Sequence, residues 1–353
     1  MRTYACVCGN TLFFDNSLCQ SCGREVGWCQ NCETISAQEP QGGTDWVCTT
    51  CNTTNHKCEN YADWAVCNRM VPAFEDESLC DACRFNDTVP DMSVPGNQEK
   101  WARLEAAKRR LFCALDRLGL PYGARDDGID PPLSFAFMGD PVDQGPWRRM
   151  DDAEHVYTGH ANGLITINIK EADDAAREAA RVDMNEAHRT LIGHFRHEVG
   201  HYYWDLLVKN DPVKSAAFND TFGDPENPDY ATALDRHYQE GPPEDWRETH
   251  ISAYATMHPW EDWAESFSFY LDMRAVLDTA EQLGLLAPRA DAEQENVDLM
   301  LARYAQLGLI LNELNREMGL LDFMPQVITP PVADKLKAVH AALWHARRGA
   351  MAA

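Results

Sequence analysis

The sequence predicts an α+β protein: a small cysteine-rich module over residues 1–90, then a mainly helical domain with a small β-sheet over residues 91–353. Three observations carry that prediction. Of 13 cysteines, all but Cys113 fall before residue 84. From about residue 173 onward the apolar pattern is helical. Ahead of that point only Leu133–Phe137 and Gly163–Ile169 read as strands, the second being rich in β-branched residues and opened by glycine.

Twelve cysteines are the number needed for three tetrahedral sites of four thiolates each. In chain order they are Cys6, Cys8, Cys19 and Cys22; Cys29, Cys32, Cys48 and Cys51; and Cys58, Cys67, Cys80 and Cys83. The C-x2-C spacing recurs at 19/22, 29/32, 48/51 and 80/83, by which one turn presents two thiolates to one ion. Three zinc-ribbon sites holding structural zinc are expected. In the third set Cys58 and Cys67 lie far apart, and His56 is an alternative to Cys58. A disulfide framework is the competing reading. Against it, the chain opens Met-Arg-Thr-Tyr-Ala-Cys with no apolar leader, and no run of about 18 apolar residues follows. Reduced thiols and a cytoplasmic location are expected.

Charge bears on partners. Residues 1–90 hold five Lys/Arg against twelve Asp/Glu, and the whole chain carries −25. Four thiolates on each zinc ion add about two further negative charges per site. A phosphate backbone or an anionic membrane is repelled, so neither nucleic acid nor membrane is an expected partner. A protein partner for the head fits better, or a purely structural role, since so small a segment needs metal simply to fold.

Asn86 to Asn97, with Pro90, Pro95 and Gly96, reads as the linker. A helix follows from about Gln98 to Leu118, with Leu104, Leu111 and Leu115 on one stripe and a stop at Gly119 and Pro121. Gly163–Ile169 is either an edge strand able to hold an extended peptide or an interior strand. Further helices are expected at about 294–318 and 332–347.

The most informative run is His197-Glu198-Val199-Gly200-His201. On a helix, residues i and i+4 share a face, so both imidazoles reach one metal ion while Glu198 sits about 100° round, placed to act on a water. No proline interrupts Asn185–Arg196, and Leu191, Phe195, Tyr202 and Leu206 mark one buried face. Asp205 and His194 lie near that face, and with His250 they read as packing or hydrogen-bonding residues.

A catalytic zinc needs a third protein ligand. The Gly and His that metzincins place three and six residues after the second His are here Trp204 and Leu207, which excludes that class. A carboxylate from a second helix remains. Pro259 stands where such a helix begins, and Glu261 and Glu265 are i and i+4. Glu261 is assigned as ligand and Glu265 as the group orienting a bound imidazole, the reverse staying open. Between the two helices, Asn210–Pro243 is rich in Asp, Pro, Gly and Asn and reads as a lid, a specificity loop or an insertion.

Two resemblances follow from these residues. Tyr254, Glu261 and Glu265, with Ala264 and Phe267, resemble the third-ligand helix of the anthrax toxin lethal factor catalytic domain, a gluzincin-like arrangement. This chain departs from it in having Val199 where that family has an aromatic residue. From its first cysteines through His194–Asp205 to Pro330–Leu336, the chain resembles a bacterial family of zinc-binding metallopeptidases with an N-terminal zinc ribbon. That resemblance implies a zincin-like metallopeptidase domain. The expected function is a zinc-dependent peptidase acting on a peptide or protein, with zinc-activated water and Glu198 as general base. Tyr254 is the first choice as oxyanion donor and His258 the second. One catalytic and three structural zinc ions are expected. The alternatives are a zinc-ribbon protein-binding module on a non-catalytic zincin scaffold, and a hydrolase of non-peptide amides.

Overall fold

A computed structural model describes residues 1–140, 156, 158–183, 189–289 and 296–352. The chain divides into two compact units. One comprises Met1–Phe112, Ser134–Gly159 and Thr166–Asp174; the other comprises Cys113–Leu133, His160–Ile165 and Ala175–Ala353.

The first unit opens with a two-stranded ladder, β1 (Tyr4–Ala5) against β2 (Thr11–Leu12). Next comes a closed five-stranded barrel of β3 (Val26–Cys29), β4 (Thr34–Gly42), β5 (Asp45–Cys48), β6 (Thr54–Lys57) and β7 (Arg69–Pro72). Its ladders are antiparallel except β3 with β7, which closes it in parallel, Trp28 facing Arg69 and Cys29 facing Met70. Closure leaves no free edge. Gly27 permits the seam, because a Cβ there would lie 3.0 Å from the Asn68 carbonyl oxygen.

The expected linker is shorter than its composition suggests. Asn86–Thr88 forms β8, parallel to β9 (Ser134–Met138). The Asn86 amide is drawn inward, donating to the buried Glu105 at 2.8 Å and accepting from Lys108. Both partners lie on α2 (Asn97–Leu118), so a residue read as part of the linker is here a half-buried connector.

A four-stranded sheet runs β10 (Gly159–Ala161), β11 (Leu164–Asn168), β9, β8. The strand expected over 163–169 is therefore interior, and β10 is an edge. Asn162 and Gly163 join β10 to β11 with φ of 48° and 86°, the left-handed pair of a tight hairpin turn. Only glycine fits at 163, since a Cβ there would meet the Pro132 carbonyl oxygen at 2.1 Å.

The second unit is helical. After α3 (Asp174–Asp183), α4 (Leu191–Leu207) is capped by the Thr190 side chain, which accepts the Gly193 amide. Residues 185–188 of the run read upstream lie outside the described residues. The Asp- and Pro-rich connection is not a loop: it folds into α5 (Pro212–Phe222) and α6 (Tyr230–Glu240). Its Asp and Gly residues are caps. Asp211 accepts the amides of Val213 and Lys214, Asp229 accepts that of Thr232, and Gly223 and Gly241 stop the helices at φ of 106° and 73°.

Short α7 (Trp246–Thr249) and a 3-10 turn at Tyr254–Thr256 lead to α8 (Pro259–Gln282), which has proline in its first turn. Helices α9 (Val297–Glu317) and α10 (Pro330–Ala352) follow, the former beginning after 294 and 295, which lie outside the described residues. Among the described residues no helix is long and apolar enough to cross a membrane.

Candidate metal centres

Helix α4 carries the two histidines, and α8 approaches it through small residues. A Cβ on Gly200 would lie 3.0 Å from Ala264 Cα, and Trp263 Nε1 donates to the Gly200 carbonyl at 2.8 Å. That approach brings Glu261 to the imidazoles. His197 Nε2 and His201 Nε2 are 3.2 Å apart, and Glu261 Oε2 lies 3.0 Å from the first and 3.4 Å from the second.

Ligand atoms about 2.0–2.1 Å from a tetrahedral zinc ion would be about 3.3 Å apart, so the three atoms have the spacing such an ion demands. Glu261 Oε2 is buried, and no N–H or O–H aims at it with hydrogen-bond geometry. Such an oxygen is costly without a cation. Burial disfavours the charged form of His197, yet the carboxylates of Glu261 and Glu265 hold its imidazole well above its ordinary range. Burial likewise opposes the Glu261 anion, but the facing imidazoles keep its carboxyl well below the usual carboxylate range.

Glu265 stands where the i+4 spacing predicts. Its Oε1 accepts from His197 Nδ1 at 2.6 Å, fixing the ring so that Nε2 faces Glu261. Glu198 is buried on α4 between the histidines. Tyr254 lies beside His197, ring centroids 6.1 Å apart. His258 caps α8: Nδ1 accepts the Trp260 amide at 3.1 Å and Nε2 donates to the Pro225 carbonyl at 3.1 Å. Both ring nitrogens are thus engaged.

Asp205 takes Lys209, 3.0 Å away, and His250 faces the buried Asp262 at 3.6 Å. Burial pushes His194 down to about 3, which keeps its imidazole neutral.

Three residues at the site escaped the sequence reading. Trp260 covers His201, with ring centroids 3.6 Å apart. His160, on β10, stacks at 6.3 Å from His201, and its Nε2 accepts the Gly163 amide. Tyr230, the first residue of α6, donates its hydroxyl to Glu261 Oε1 at 2.8 Å. An Asn-Gly turn after His160 and an Asp cap before Tyr230 are the signals that could have found two of them.

In the head the cysteines meet in the three sets read from their order: Cys6, Cys8, Cys19 and Cys22; Cys29, Cys32, Cys48 and Cys51; Cys58, Cys67, Cys80 and Cys83. Sulfur pairs lie 3.7 Å apart in the first two sets, and Cys67 and Cys80 are 3.8 Å apart. Thiolates about 2.3 Å from a tetrahedral zinc ion would be about 3.8 Å apart, whereas a disulfide needs about 2.05 Å. None of the 13 cysteines is in a disulfide. His56 instead faces the Glu77 carbonyl at 2.9 Å, so Cys58 completes the third set. Amides of Arg69, Cys80 and Cys83 point at sulfurs of that set, as expected around thiolates.

Comparison with known proteins agrees. A family model described as "Putative zinc-binding metallo-peptidase" matches residues 97–342, and one for a zinc-ribbon domain matches residues 3–94. An uncharacterized protein of Mycobacterium bovis is 37% identical over 346 residues, covering 96% of this chain and 94% of that protein. An uncharacterized protein of Mycobacterium tuberculosis matches to the same extent. No solved structure matches.

Proposed function

The chain belongs to this family of zinc-binding metallopeptidases, and from that premise we propose that it is an active zinc peptidase hydrolysing peptide bonds, with Glu198 as general base. The observation that carries the reading is the convergence of His197 Nε2, His201 Nε2 and Glu261 Oε2 within 3.0 to 3.4 Å of one another. We assign these three as ligands of a catalytic zinc, Glu265 as the orienting carboxylate, and the twelve head cysteines as ligands of three structural zinc ions. When bound, the catalytic zinc supplies Lewis acidity, lowering the pKa of water and polarising a carbonyl.

The chain's own residues do the rest. Glu198 takes a proton from the attacking water as its oxygen bonds to the carbonyl carbon, then delivers that proton to the amine as the C–N bond breaks. Tyr254 donates to the developing oxyanion, a role worth about 3 kcal/mol where such donors have been removed elsewhere. His258, whose Nδ1 caps α8 and whose Nε2 donates to the Pro225 carbonyl, keeps that helix in place.

For the remainder, we place the domain boundary near residue 90 and the protein in a reducing compartment, the cytoplasm. The acidic head serves structure or a protein partner rather than nucleic acid.

The test is incubation of metal-loaded wild type and Glu198→Gln with a diverse peptide library, read by mass spectrometry. Cleavage by wild type alone is expected. Equal cleavage by both would remove Glu198 from the mechanism. No cleavage by either, with the catalytic site loaded, would favour a protein-binding head on a non-catalytic scaffold.

A further inference from the structure

Helix α6 reaches the metal centre with one face. Tyr230 and His237 are seven residues apart, two helical turns, and so lie on the same side. The Tyr230 hydroxyl donates to Glu261 Oε1 at 2.8 Å. His237 packs edge-on against the Tyr254 ring, centroids 6.0 Å apart, and Tyr230 packs against Trp260 at 5.8 Å.

We propose that Tyr230 is a positioning residue for the metal centre: its hydroxyl fixes the Glu261 carboxylate so that Oε2 alone faces the two histidines. This rests on the peptidase reading above.

The argument is geometric. A carboxylate on a three-bond side chain can turn either oxygen, or both, toward an ion. Glu261 Oε1 accepts from Tyr230 while Oε2 is left without a donor, 3.0 Å from His197 Nε2 and 3.4 Å from His201 Nε2. The phenol therefore selects one oxygen for the ion.

Helix α6, in a connection whose composition reads as loop, is by this account part of the active site.

The experiment compares wild type, Tyr230→Phe and, as a control on the same helix, Tyr238→Phe, whose side chain is 70% exposed. With the head kept zinc-loaded, the catalytic ion is removed by a mild chelator. The site is titrated with zinc against a competing indicator, then with Co(II), recording the visible spectrum as a difference from His197→Ala. Loss of an orienting hydrogen bond next to a metal ligand typically weakens metal binding by about ten- to a hundredfold.

We expect that loss, together with a shifted Co(II) spectrum, in Tyr230→Phe and neither in Tyr238→Phe. Unchanged affinity and spectrum in Tyr230→Phe would overturn the inference. So would weaker binding with an unchanged spectrum, which is what general loosening of α6 would produce. Failure of the underlying reading looks different: wild type would then bind no more ion than His197→Ala, and the inference would fall with it.

Discussion

Gly200 lies against Ala264 so closely that a Cβ on the glycine would stand 3.0 Å from Ala264 Cα and 3.2 Å from its carbonyl oxygen. The proposed metal ligands flank this contact. His197 and His201 stand three residues before and one after the glycine, and Glu261 stands three before the alanine. The distance between the helices therefore sets the distance between imidazoles and carboxylate.

Gly200→Ala should push α4 and α8 apart. Overpacking of a tight core contact costs about 1–3 kcal/mol, so a lowered midpoint in thermal unfolding is expected, with weaker zinc binding at the catalytic site and no loss from the head. Wild-type stability with full zinc occupancy would show that the helices relax freely here.

Glu261→Ala and Glu265→Ala separate the two carboxylates. The first should empty the catalytic site, counted by inductively coupled plasma mass spectrometry, while the head keeps its ions. The second removes only the acceptor of His197 Nδ1 and should weaken binding about ten- to a hundredfold. If Glu265→Ala empties the site and Glu261→Ala does not, the roles are reversed.

Asp229→Ala should weaken the catalytic site from a distance. Asp229 accepts the Thr232 amide at the start of α6, directly before Tyr230, and that hydrogen bond holds its carboxyl below the ordinary range. A carboxyl lowered on folding stabilises above its unfolded pKa of about 3.9, and the contribution is lost only as pH falls through the lower folded value. The deficit in zinc affinity should therefore be constant from about pH 5 to about pH 8. A deficit that grows across that range would point to a different group.

The three cysteine sets should yield to a strong chelator in order of burial. Cys8 and Cys22 are exposed, Cys32 and Cys51 intermediate, and all four of Cys58, Cys67, Cys80 and Cys83 buried. The charge of Arg109, itself buried, further favours the Cys67 thiolate. Timed alkylation mapped by mass spectrometry should find Cys8 and Cys22 modified first and the last set only as the head unfolds. Simultaneous modification of all three sets would mean that the head opens as one unit.

The sequence by itself determined what local geometry controls. Spacing of C-x2-C and of His-x3-His is fixed by single turns of chain, so the cysteine sets and the paired imidazoles were legible from residue order. Pro259 marked the start of α8, and the i+4 spacing put Glu261 and Glu265 on one face of it. Tertiary structure decided what depends on where separate elements meet. Asn86, in a Pro- and Gly-rich stretch, became a strand residue because Glu105 and Lys108 on α2 satisfy its amide. Gly163–Ile169 became interior because an Asn-Gly turn folds β10 along it. Tyr230 reached Glu261 from 31 residues away because Asp229, which in sequence looks like a turn former, starts a helix instead. A capping aspartate and a loop aspartate are the same residue until the next helix finds a surface to pack on.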